Sequence, residues 1–132
     1  RRGRDRAYVA GARRLIGGYE LMFKVNESEF EYRFGDSGPK YLMRGPRMNF
    51  GVVVLQAGQD FRDHLHNVME ENFFILEGEL EFRVADQVLT AKAGDLVHVE
   101  PGEAHYLRNA SDAPAKAVFC LAPFQEKDKV DL

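Results

Sequence analysis

At 132 residues the chain is long enough to fold around one hydrophobic core and well short of the length at which chains divide, so one domain spanning 1–132 is expected. Its 45% hydrophobic and 30% charged residues exclude a chain that is disordered in its main state. The one cysteine, Cys120, excludes an internal disulfide framework and suits a reducing, cytoplasmic compartment. No apolar run approaches the roughly 20 residues of a membrane span, and the N-terminal stretch lacks the apolar centre of a signal peptide, so neither membrane insertion nor export is expected.

The net charge of −3 is unevenly spread. Residues 1–14 hold six arginines against Asp5, a local charge of +5 that leaves −8 on the other 118 residues. A basic arm on an acidic body can contact nucleic acid, but the aromatic residues here sit at strand spacing and are not interleaved with basic ones. The arm, 1–27, is therefore expected to be a solvated tail or a segment clasping an acidic partner subunit. Within it Tyr8, Val9, Ala12 and Leu15 fall near helical spacing ahead of Gly17 and Gly18, which predicts a short helix over 4–15.

From about residue 19 the period is two. Residues 28–34 alternate polar and aromatic, predicting a half-buried strand that ends in turn residues at 35–39. Strand patterns follow at 50–55, 72–76, 80–84, 96–99 and 117–121, with turn signals between them at 57–59, 77–79, 93–95, 101–102 and 109–114. Gly38-Pro39-Lys40 and Arg44-Gly45-Pro46-Arg47 are expected turns carrying solvated charge. Short strands on this schedule predict an all-β sandwich or barrel.

Three of the four histidines fall in two short glycine-containing segments, 58–66 and 102–105. Residues i and i+2 of a strand point to one face, so His64 and His66 present two imidazoles side by side, about 6.5–7 Å apart at the backbone. After a hairpin loop over 67–70, Glu71 opens the next strand and can return a carboxylate toward the same point. Imidazole and carboxylate together suit one divalent transition metal ion (Mn, Fe, Co, Ni, Cu or Zn), whereas calcium and magnesium prefer cages of oxygen. No cysteine lies nearby in sequence, which disfavours a structural thiolate site and favours one with open coordination positions.

The spacing Gly58, His64, His66, Glu71, Gly78 resembles the first signature of the cupin superfamily, G-x5-HxH-x3,4-E-x6-G, at every fixed position. Gly94, Pro101, Gly102, His105 and Asn109 are similar to the second, G-x5-PxG-x2-H-x3-N, with Glu100 standing where the first proline is expected. The resemblance implies a small metal-binding cupin: a double-stranded β-helix, or jelly-roll, barrel with an N-terminal extension and a conserved core over 48–124. It implies a metal held by His64, His66, Glu71 and His105 near the barrel mouth. It also suggests oxygen-dependent cleavage of an enediol, diketone or phenol, ahead of isomerisation of a sugar or sugar acid, or lyase chemistry, on a small polar metabolite. A non-catalytic module that binds or senses a small molecule is the competing class.

Parity sorts further residues. If Glu71 faces the interior, so do Phe73 and Ile75, while Asn72, Phe74 and Leu76 face outward, and Phe74 and Leu76 need cover from the N-terminal segment or from a second subunit; the resemblance to small cupins, which commonly pair this way, implies a homodimer. Arg62 shares the parity of His64 and His66, so its guanidinium is a candidate to pair with a substrate carboxylate or phosphate. Phe73, Met48 and Asn109, with Arg33, Tyr41, Met43 and Arg44, are further candidates for the mouth. His98 is expected to be a packing or surface histidine, and Cys120 a core thiol.

Overall fold

The computed structural model describes Tyr8–Val9 and residues 22–132. Eleven strands follow in chain order: β1 (Tyr8–Val9), β2 (Gly38–Arg44), β3 (Asn49–Leu55), β4 (Asp60–His66), β5 (Glu70–Glu77), β6 (Glu79–Val84), β7 (Gln87–Lys92), β8 (Leu96–Val99), β9 (His105–Arg108), β10 (Ala115–Ala122) and β11 (Lys129–Asp131). They form a six-stranded sheet, β1-β2-β3-β10-β5-β8, and a five-stranded sheet, β11-β4-β9-β6-β7. The interleaving of consecutive strands between the two layers is that of a double-stranded β-helix, as the sequence predicts.

Period-two burial builds the core. Along β10, Ala115, Ala117, Phe119 and Leu121 are buried while their neighbours are half-exposed. Beside them in the same sheet are Phe73 and Ile75 of β5, and the other sheet contributes Leu80 and Phe82 of β6, all at most 4% exposed. Outward on β5 are Phe74 and Leu76, 44% and 42% exposed, so the parity assignment of this strand holds. Leu96 of β8, paired with Phe74, continues the same outer apolar surface.

Four expectations need correction. Residues 28–34 are not a strand: a 3-10 turn occupies Glu27–Glu29, and Tyr32 and Gly35 meet only as an isolated bridge. The Asn26 side chain accepts from the Ser28 N–H, and Glu29 returns its carboxylate to the Asn26 N–H, a capping box that outweighs the aromatic alternation. Lys40 is neither in a turn nor solvated. It lies buried in β2, donates from Nζ to the Glu27 carbonyl at 2.9 Å, and sits 4.1 Å from the Tyr32 ring centroid. With Lys116 donating to Glu27 Oε1 at 2.6 Å, two cations draw this segment onto the outer face of the six-stranded sheet.

Tyr8–Val9, expected within a helix, instead pair parallel with Met43 and Arg44 of β2; the rest of the expected helix lies outside the described residues. Cys120 is opposite Asn72 and Phe50 on the outer face, half-buried, with Sγ 4.0 Å from Met48 Sδ, so it is not a core thiol. Burial raises its pKa, with Glu70 and Glu71 adding to the effect.

Of the signature glycines, Gly78 carries the tightest constraint. Its φ is +71° and a Cβ built there would lie 2.6 Å from the Pro114 carbonyl oxygen, so both the conformation and the approach of the β10 backbone require glycine. Gly58 has φ +78° but open space around it. Gly78→Ala is therefore expected to destabilise the fold by more than about 2 kcal/mol, and Gly58→Ala by about 1 kcal/mol. Urea unfolding of both variants checks this; equal losses would show that the close approach to Pro114 adds nothing.

Candidate metal centre

Two sheets supply the cluster. His64 and His66 come from β4 and His105 from β9, with His64 and His105 direct cross-strand partners in the five-stranded sheet. Glu71 comes from β5 of the other sheet, beyond a hairpin that turns at Asn67, Val68 and Met69. One donor atom from each of the four side chains lies within 4.8 Å of the others. Donors around one ion at about 2.0–2.2 Å stand at most about 4.4 Å apart, so the widest pair needs to close by only a few tenths of an ångström.

Burial is unequal and informative. His105 is 1% exposed, Glu71 6% and His66 7%. Neither ring nitrogen of His66 has a hydrogen-bond partner, although Nε2 approaches Glu71 Oε1 at 3.4 Å. Two orphaned polar atoms in a buried ring are costly unless something outside the protein chain meets one of them. A cation there satisfies His66 directly, and the nitrogen and oxygen donor set suits a first-row transition ion.

Ring orientation is fixed from behind. His64 Nδ1 lies 2.9 Å from the Arg62 carbonyl and His105 Nδ1 lies 3.0 Å from the Glu103 carbonyl. A carbonyl only accepts, so both Nδ1 atoms carry the proton and both Nε2 atoms point their lone pairs toward the cluster when the rings are neutral. Burial lowers the His64 pKa by more than the Arg62 carbonyl raises it, keeping that ring neutral. Burial also opposes charge on His105, but Nε2 lies 3.0 Å from Glu71 Oε1 and this hydrogen bond, with the Glu103 carbonyl, lifts its pKa above the usual value. Burial likewise raises Glu71, and the contacts with His105 and His66 outweigh it, leaving the carboxylate below its usual range and ionised.

The hairpin between His66 and Glu71 is held by a residue that the sequence reading did not single out. Asp128 is 5% exposed; its carboxylate accepts from the Val68 N–H at 3.0 Å and from the Met69 N–H at 2.9 Å, and its own carbonyl accepts from Asn67 N–H at 3.2 Å. From there β11 runs beside β4, pairing Lys129 with His66 and Asp131 with His64. Nothing local in the sequence marks Asp128, because its partners are about 60 residues away. Hydrophobic patterning alone cannot connect them.

A cavity of about 420 Å³ opens over the cluster and is lined by His64, His66 and Glu71. Of the candidates for contacting a substrate, Arg62, Phe73, Arg33 and Tyr41 line it, and Met48, Asn109, Met43 and Arg44 do not. Met48 instead packs by Cys120 on the outer face. Asn109, fully buried, donates from Nδ2 to the carbonyls of Leu55 and Ala113 and accepts from Ser111 at Oδ1, so its amide is used up in joining two loops. His98 is a surface histidine, 2.7 Å from Asn72 Oδ1 and 3.2 Å from Glu70.

Asp128→Ala removes the acceptor for two backbone donors at the base of the ligand-bearing hairpin. A stability loss of about 2–4 kcal/mol is expected, with Asp128→Asn, which retains one acceptor oxygen, losing less. Denaturant unfolding of the metal-free variants measures it; an unchanged midpoint for Asp128→Ala would show that the hairpin holds its shape unaided.

The comparisons with known proteins agree with this geometry. The chain is 24% identical over 80 residues to the tetracenomycin polyketide synthase protein TcmJ of Streptomyces glaucescens, covering 61% of this chain and 54% of that one. It thus spans about half the length of that relative. Among solved structures, a double-stranded β-helix protein from Klebsiella pneumoniae superposes with a TM-score of 0.72 at 20% identity, covering 84% of this chain and 97% of that one. The DMSP lyase DddQ of Ruegeria pomeroyi gives a TM-score of 0.64 at 23% identity, covering 83% of this chain and 59% of that one. These structural likenesses establish the fold. The cupin domain model matches residues 51–121, more than half of the chain and all four clustered side chains, and the protein is a member of the cupin family.

Proposed function

We propose that the protein is a metalloenzyme in which His64, His66, Glu71 and His105 hold one divalent transition metal ion, Mn, Fe, Ni, Cu or Zn, and that it performs oxygen-dependent cleavage of a small metabolite. The observation that carries this reading is the buried, unpartnered His66 ring within a four-donor cluster at the base of an open cavity. When bound, the ion supplies Lewis-acid or redox activation at its free coordination positions. The chain's own groups do the rest: the Arg62 and Glu103 carbonyls hold the two Nε2 lone pairs inward, and ionised Glu71 supplies negative charge. Phe61, Phe73, Leu107, Phe119 and Leu121 supply apolar surface in the cavity lining.

Val53, Phe61, Phe73, Leu107, Phe119 and Leu121 lie in the lining beside the charged Arg33, Asp60, Arg62, Lys129 and Asp131, and a diketone or phenol with an apolar body uses that carbon surface more fully than a sugar does, which favours oxygen chemistry over sugar isomerisation. The exposed outer row of Phe74, Leu76 and Leu96 supports a homodimer, and the single half-buried thiol fits a cytoplasmic setting. Among the described residues no helix is long and apolar enough to cross a membrane.

Elemental analysis of protein purified without chelator, beside His64→Ala, tests the reading. Near one equivalent of iron, manganese, nickel or copper is expected in the parent and none in the variant, with oxygen uptake on diketones, phenols or enediols by the parent alone. Zinc with lyase or isomerase turnover would replace the oxygenase reading. No metal in either protein, with folding intact, would overturn the metal centre and leave a binding module.

A further inference from the structure

The cavity has an uneven chemistry that narrows what it accepts. Beside the buried His66 and Glu71 its depth is lined with carbon: Val53, Phe73, Leu107, Phe119 and Leu121 are all at most 4% exposed. Its sides and mouth add aromatic rings, Tyr41, Phe61 and Phe34, the last 60% exposed to water on the turn before β2. An apolar cavity of about 150 Å³ accommodates one benzene ring, so 420 Å³ leaves room for a body of about two or three rings.

Charge at the lining is largely spoken for. Asp131 pairs with Lys129 at 3.2 Å, Asp60 accepts from the Tyr106 hydroxyl, and Glu71 is engaged by His105 and His66. Arg62 is the exception: among the described residues its guanidinium has no ion pair or hydrogen bond, yet it lines the cavity two residues from His64.

A β-bulge puts it there. β4 pairs Phe61 with Leu107 and then His64 with His105, spending three residues where β9 spends two. The register shift lets Phe61 and Arg62, neighbours that regular alternation would send to opposite faces, both line the cavity, while Asp63 is 3.0 Å from Arg83 outside it. The strand departs from regular pairing where this unpaired cation joins the lining.

We propose that the cavity binds an aryl carboxylate with a fused-ring body, its rings against Phe61, Phe73 and Tyr41 and its carboxylate on the Arg62 fork. This rests on reading the cavity as the substrate site and narrows the expected polar metabolite to one with an apolar body. A bidentate, charge-assisted arginine–carboxylate pair supplies the selection at the mouth, and the rings fill the apolar depth.

Titration calorimetry with 2-naphthoate, neutral 2-naphthol and the flexible acid octanoate, on metal-free and nickel-loaded protein, tests the proposal with probes of known charge and shape. The metal-free parent is expected to bind 2-naphthoate at least about tenfold more tightly than either of the others. Arg62→Gln should remove that preference over 2-naphthol, and Arg62→Lys should restore part of it. Arg62 is exposed, so both variants should keep the parent melting temperature and nickel uptake. Equal affinity for acid and alcohol, or no effect of Arg62→Gln, would overturn the carboxylate assignment; octanoate binding as tightly as 2-naphthoate would overturn the aryl one. A parent that takes up no nickel but discriminates among the probes as stated sinks the metal centre and leaves this proposal standing.

Discussion

An ionised carboxylate only 6% exposed, Glu71, sets the terms for the rest of the barrel. An isolated buried charge costs many kcal/mol unless positive charge or strong hydrogen bonds meet it. Here it is met by histidines from the opposite sheet, so the two layers must close at a register that brings β4 and β9 against β5. The direct pairing of His64 with His105 fixes that register on one side, and the hairpin over 67–69 fixes it on the other. Asp128 holds the hairpin from the far end of the described chain, which is why the C-terminal strand belongs to the site although it lies beyond the family match at 51–121.

Much of this was legible because it obeys local rules. Alternation located β3, β5, β6, β8 and β10, and parity counted from an inward Glu71 put Phe73 and Ile75 inside with Phe74 and Leu76 outside. His64, His66 and Glu71 were readable because spacing along a strand and across one hairpin is short-range geometry, whereas His105, on β9, was placed only by the resemblance to the second cupin signature. The failures share a cause. Residues 28–34 alternate like a strand, but the capping box at Asn26 and Glu29 and the pull of Lys40 and Lys116 on Glu27 won. Cys120 looked like core because β10 is apolar on both faces, and only the sheet stacking shows that Phe119 and Leu121 face in.

The substrate side was less legible for a different reason. Parity assigned Arg62 to the cavity by counting from His64, and its place there agrees, but counting from Phe61 gives the opposite face. A bulge reconciles the two, and period-two reasoning has no means of foreseeing one. Asn109 shows the converse. It falls at a signature position, yet its amide is consumed by Leu55, Ala113 and Ser111, so that position serves loop closure between the sheets' turns and not recognition.

The same arrangement ties ligand binding to fold closure. Three donors hang from one sheet and one from the other, so whatever occupies the cluster spans the core. In the metal-free state the His105–Glu71 contact already joins the layers at 3.0 Å, which lets the barrel form before any ion arrives. His66 shares in that only weakly: Nε2 stands 3.4 Å from Glu71 Oε1 and neither ring nitrogen makes a hydrogen bond, a destabilising feature that a cation meeting one of them would remove. A cation held as proposed would relieve a cost built into the folded chain, and its binding would appear as added stability of the whole sandwich because the unfolded chain holds no such cluster.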